Sequence, residues 1–118
     1  MALKHIKRLL IGPTRPVTRE EAMKVFKRDH YVCQYCGLDG SHSFENWLIL
    51  TIDFIHPRIR GGSRGMDNLV TACQPCNLVK GKRVYPTLEE AKKHVLAKRE
   101  EWRQFYESQT KSGRTSAA

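Results

Sequence analysis

Between Cys33 and Asn77 the chain gathers residues able to hold two metals of different kinds. Cys33-x-x-Cys36 and Cys73-x-x-Cys76 repeat one spacing. Two residues between thiolates let both sulfurs point at one ion, and two such pairs complete a closed tetrahedral zinc site. With no open coordination position, that site is structural. The competing readings are four unrelated buried cysteines or two disulfides; a reducing setting and the duplicated spacing favour zinc. Within and just beyond this clamp stand Asp53, His56, Asn68 and Asn77. A carboxylate and an amide oxygen are hard ligands of the kind magnesium or manganese takes, alongside phosphate oxygens. Such an ion steadies the charge on a scissile phosphate while a nearby histidine draws a proton from water. Each residue alone is weak evidence, since a lone Asp at a strand end is usually a turn or cap residue. The arrangement carries the weight: strand, loop, strand and helix would bring positions 53, 56 and 77 to one mouth.

Cations surround the same segment. Arg58, Arg60, Arg64, Lys80, Lys82 and Arg83 would hold flanking phosphates. Gly61, Gly62 and Gly65 would let backbone approach them closely. The formal net charge is +9, from 21 Lys+Arg against 12 Asp+Glu, which suits a polyanion and most commonly nucleic acid. A basic surface without a specific partner is the bland alternative on charge alone.

The 118 residues have room for one small domain, whose core is small enough to need a staple. The N-terminal M-A-L-K-H-I-K-R-L-L-I does not read as a signal peptide, because charge interrupts its apolar run. No apolar segment approaches the roughly 20 residues needed to span a bilayer. These features point to a cytoplasmic protein with no membrane partner.

Residues 1–17 read as a basic arm ending in helix-breaking Gly12-Pro13 and Pro16. T-R-E-E from Thr18 is a capping box, and Ala22, Val25 and Phe26 continue it as an amphipathic helix to about Asp29. Y-V-C-Q-Y-C-G turns at Gly37, residues 38–47 are loop or a single helical turn, and L-I-L-T-I-D-F-I (48–55) is a strand. After a turn-rich loop, N-L-V-T-A-C (68–73) is a second strand, and a short helix starts near Cys76 or Asn77 and yields at Gly81. A second capping box at Thr87 opens a long helix to about Gln109, with Leu88, Ala91, Val95, Trp102, Phe105 and Tyr106 as its core-facing stripe. One domain thus covers 18–110, and 111–118 (K-S-G-R-T-S-A-A) should be a disordered tail.

The segments C-Q-Y-C-G (33–37), L-T-I-D-F-I-H-P-R-I-R-G-G (50–62) and D-N-L-V-T-A-C-Q-P-C-N-L-V-K-G-K-R (67–83), with the helix that follows, resemble the HNH endonucleases. The likeness is to the small type with a four-cysteine zinc clamp. It implies an α+β fold: a treble-clef-like ββα-metal domain with a two-stranded antiparallel hairpin, flanking helices and a zinc site of four cysteines. It also implies a magnesium- or manganese-dependent endonuclease that hydrolyses DNA phosphodiester bonds. By this resemblance Asp53 is the metal-binding carboxylate, Asn68 the middle Asn that braces the loop between strands, and Asn77 the second metal ligand.

One position departs from the pattern. Family members usually carry His directly after the Asp as the general base, and here Phe54 stands there. Many relatives have a second His two positions on, which corresponds to His56. On a regular strand those positions share a face about 6.5–7 Å apart, so His56 would need the bend at Pro57 or a relayed water to act. Three readings stand: His56 as base, a slow metal-only nicking enzyme, or a zinc-stapled nucleic-acid-binding module that no longer cleaves. No obvious recognition helix is present, which leaves site choice to a homodimer or a larger complex.

Overall fold

The computed structural model describes residues 17–57 and 61–117, with side chains as far as Lys111. The basic arm expected over 1–17 lies outside the described residues except for Val17, and Arg58 and Arg60 lie outside them as well.

Helix α1 spans Arg19–Arg28 and begins with both halves of its capping box. Thr18 Oγ1 accepts from the Glu21 amide at 3.1 Å, and Glu21 Oε1 accepts from the Thr18 amide at 2.9 Å. The helix buries Val25 and Phe26. His30 (φ 56°) and Tyr31 (φ 60°) then both take left-handed backbone, reversing the chain into the first cysteine knuckle. Successive residues in this region are costly without glycine, so the neighbouring structure must hold them there. A short helix α2, Phe44–Leu48, is capped by Ser43 and leads into strand β1, Leu50–Phe54.

Strand β1 pairs antiparallel with β2, Leu69–Cys73, with Leu50 opposite Cys73, Asp53 opposite Val70 and Phe54 opposite Leu69. That register assigns the faces. Val70 and Ala72 join the cysteines, Tyr35, Tyr85, Ala91 and Val95 in one core cluster. Leu69 and Phe54 join Val25 of α1 in the other. Asp53 therefore lies on the face turned to the metal side, and Phe54 on the face turned to α1.

Every residue of β2 is buried, although the sheet has only two strands. Its second edge is closed by α1 and the knuckle. Asp29 Oδ2 accepts from the Thr71 amide at 2.9 Å, the Gln34 amide donates to Thr71 O at 2.9 Å, and Arg28 Nη2 donates to Leu69 O at 2.5 Å. An open ladder edge is thereby satisfied inside the chain.

Helix α3, Gln74–Lys80, ends at Gly81, whose φ of 64° favours glycine. Helix α4, Leu88–Ala117, starts with Thr87 Oγ1 accepting from the Glu90 amide at 3.2 Å. Only its first turns behave as the sequence suggests: Ala91 and Val95 are buried, but Trp102 is 50% exposed, Phe105 68% and Tyr106 59%. The aromatic stripe is not core. Among the described residues α3 meets the stripe only with Pro75 and Val79, which line an open groove with Trp102 and Tyr106 and do not close over them. The helix also continues past the expected end near Gln109 to Ala117. No helix among the described residues is long and apolar enough to cross a membrane.

Candidate metal centre and active site

The two knuckles meet where β2 turns into α3. The sulfurs of Cys33, Cys36, Cys73 and Cys76 all lie within 4.8 Å of one another. Cys36 Sγ and Cys73 Sγ stand 3.7 Å apart. Sulfurs at about 2.3 Å from a tetrahedral ion sit roughly 3.8 Å apart, so this spacing fits a metal and is too long for a disulfide. The Cys36 amide turns back toward Cys33 Sγ at 3.5 Å, as a knuckle requires. Crowding sets the thiols against one another: contacts with Cys73 and Cys76 hold Cys33 far below its usual range, while contact with Cys33 pushes Cys76 far up and Cys73 to about 11. A divalent cation removes that conflict, since all four can then ionise. Arg99 of α4, which sequence reasoning passed over, reaches Cys76 Sγ at 3.6 Å and ties the long helix to the cluster.

Asp53 is 4% exposed. The Tyr35 hydroxyl donates to its Oδ2, and Lys80 Nζ lies 3.4 Å from its Oδ1. Burial pushes the Asp53 carboxyl above its ordinary range, opposed by the Lys80 charge and the two hydrogen bonds. Burial and the neighbouring carboxylate push Tyr35 higher still, so its hydroxyl stays a donor. Tyr35 and Lys80 were both missed as partners of Asp53. Tyr35 sits inside the knuckle, Cys33-Gln34-Tyr35-Cys36, where any residue is held near the metal side; that was the only signal.

The Asp53 carboxylate on this face is an oxygen donor of the kind a hard divalent cation takes. Asp53 faces α3, and Asn77 stands one turn ahead of Lys80, the α3 residue that reaches it. Asn77 is half-buried, and its carbonyl accepts the Gly81 amide at 3.1 Å.

His56 lies beyond the end of β1. Strand β1 ends at Phe54, so the two-residue alternation does not carry through to position 56. Phe54 is 8% exposed in the cluster with Val25 and Leu69, whereas His56 is exposed. No hydrogen bond among the described residues joins His56 to Asp53 or Asn77. His56 instead opens on a cleft of about 440 Å³ with Gly62, Ser63, Asp67, Asn68 and Thr87.

The loop around that cleft is held by one side chain. Asn68 Oδ1 accepts from the His56 amide at 2.9 Å, and its Nδ2 donates to His56 O at 3.1 Å and Ser63 O at 2.8 Å. Gly62 completes the closure, donating its amide to Pro57 O at 3.0 Å. A Cβ at Gly62 would stand 1.7 Å from His56 O, so no other residue fits there without moving the loop.

The expected phosphate-binding cations divide. Lys82 and Arg83 are exposed. Arg64 Nη2 pairs with Glu21 Oε1 at 2.6 Å, anchoring the loop to α1. Lys80 must be reassigned: its side chain is 0% exposed, and its ammonium is held by Phe54 O at 2.9 Å as well as by Asp53. A buried, internally satisfied ammonium cannot meet a phosphate.

Residues 33–83 match the family model described as HNH endonuclease. No match is found among curated proteins or among solved structures.

Proposed function

Taking residues 33–83 as an HNH-endonuclease-type segment, we propose that the chain is a metal-dependent endonuclease of low turnover that hydrolyses DNA phosphodiester bonds in the cytoplasm. The observation that carries this reading is the coincidence of that match with a four-sulfur cluster and a buried carboxylate facing α3.

In this reading zinc fills the cysteine cluster and holds the first knuckle against the start of α3. Asp53 and Asn77 would hold magnesium or manganese. When bound, such an ion supplies Lewis-acid stabilisation of charge on the scissile phosphate and its leaving oxygen. Tyr35 orients Asp53 by donating to one carboxylate oxygen, and the other, which Lys80 of α3 faces, would be the one to meet the cation. Asn68 fixes the backbone at His56 on both its amide and carbonyl sides, which presents the exposed imidazole at the cleft as the proton acceptor for water. Lys82 and Arg83 hold neighbouring phosphates; Arg58 and Arg60, outside the described residues, are proposed for the same role on their charge alone.

Low turnover follows from Phe54. It stands where the family's base would be, packs into an apolar cluster, and can neither bind metal nor take a proton. Loss of a general base typically costs about 10²–10⁴ in rate.

The second reading is a zinc-stapled nucleic-acid-binding module that no longer cleaves, and the separation of exposed His56 from buried Asp53 favours it. Nicking of supercoiled plasmid in manganese or magnesium against chelator separates the two. The endonuclease requires cutting by wild type that is lost in Asp53→Asn and reduced in His56→Ala. A wild type that binds DNA in low salt but leaves plasmid intact in both metals establishes the binding module instead.

A further inference from the structure

Asp53 already has a cation. Its Oδ1 faces Lys80 Nζ at 3.4 Å, and neither side chain is exposed by more than 5%. The ammonium donates to Phe54 O at 2.9 Å, faces Asp53 Oδ1, and stands over the Tyr85 ring with its centroid at 5.9 Å. This lysine is no surface residue. It reaches inward from the last turn of α3, past the exposed neighbours Lys82 and Arg83, to the one buried carboxylate on that face of the sheet among the described residues.

We infer that Lys80 is a built-in counter-cation for Asp53, with which a divalent ion must compete for the carboxylate. The inference rests on the reading of Asp53 as the metal ligand. Asp53 and Lys80 together sum to zero charge. A dication brought to Asp53 leaves a net charge of two in a site almost closed to water, with an ammonium as its neighbour. Repulsion at that range is large where solvent does not screen it. Two consequences are fixed by the geometry. The zinc-loaded chain without the hard cation has no orphaned buried carboxylate, and its affinity for that cation is lower than its ligands alone would give.

The test is manganese binding to the zinc-loaded full chain, followed by the electron paramagnetic resonance signal of free Mn²⁺, in wild type, Lys80→Met, Lys80→Arg and Asp53→Asn. Removing the charge is expected to tighten binding by about tenfold or more, while Lys80→Arg binds no more tightly than wild type. Lys80→Met should also gain more melting temperature from added manganese than wild type does. If Lys80→Met does not fold, Lys80→Gln, which keeps a donor for the Phe54 carbonyl without the charge, carries the same comparison. Unchanged or weaker binding in the uncharged variant, with binding still lost in Asp53→Asn, overturns the inference and leaves the proposed metal site standing. Undiminished binding in Asp53→Asn overturns the metal site itself, and the inference with it.

Discussion

Asn68 grips the backbone of His56 from both sides, accepting from its amide at 2.9 Å and donating to its carbonyl at 3.1 Å. The contact spans the loop between the two strands, so one buried amide fixes where the candidate base can stand. Asn68→Asp keeps the acceptor and loses the donor, setting a carboxylate against the carbonyls of His56 and Ser63. Unfolding in denaturant should show a loss of about 1–3 kcal/mol, with faster hydrogen exchange at the His56 amide.

Gly62 is required for a separate reason. A methyl group there would collide with His56 O at 1.7 Å. Gly62→Ala is expected to lower the melting temperature, by a destabilisation of roughly 1–3 kcal/mol, and to displace His56. Gly61→Ala is a useful contrast. Nothing among the described residues crowds its Cβ, but its φ of 86° strains any side chain, so it should cost about 1–2 kcal/mol.

Placing at position 54 the histidine usual in HNH endonucleases is not expected to give fast cleavage. Phe54 is packed with Val25 and Leu69 beneath α1, on the opposite face of β1 from Asp53. Phe54→His puts an imidazole into that apolar cluster and should destabilise the fold by roughly 2–3 kcal/mol. Plasmid nicking and a denaturation curve on the same preparation decide it: rapid cutting by a stable Phe54→His contradicts this packing argument.

The cysteine cluster should behave as a folding cofactor site. A strong chelator is expected to abolish the far-UV circular dichroism melting transition, and zinc to restore it. Cys76→Ser should do the same. Arg99→Ala removes only the contact to Cys76 Sγ and should weaken zinc retention by about tenfold while leaving the metal-loaded fold intact.

Stability should also fall on the acid side through Asp29. Burial pushes this carboxyl up, but hydrogen bonds from Arg28 and from the Thr71 amide, with the Arg28 charge, outweigh it and leave its pKa lowered. A depressed folded-state value means the contribution is complete above the unfolded carboxylate range, about pH 4, and is lost as pH falls toward the lowered value. Asp29→Asn should therefore be less stable than wild type at neutral pH, with the gap narrowing below about pH 4 in denaturant titrations.

The sequence by itself determined what local chemistry determines. The Thr18–Glu21 capping box, a strand within 48–55, the break at Gly81 and the paired cysteines each depend on neighbours a few residues away, and spacing alone exposes them, though the strand itself is shorter, Leu50–Phe54. The brace at Asn68 was also legible, through resemblance, because its partner His56 lies in the same loop. Tertiary structure decided everything that depends on which face meets which. Lys80 has the same charge and setting in the sequence as Lys82 and Arg83, yet one α3 residue turned inward meets a buried carboxylate while its neighbours meet water. Trp102, Phe105 and Tyr106 continue the helical period of Val95, but burial needs a surface that closes over them, and α3 offers only Pro75 and Val79 beside an open groove. Phe54 and His56 read as one face of a strand until the strand ended at Phe54. Periodicity encodes the direction of a side chain relative to its own element; only the packing of elements fixes what lies in that direction.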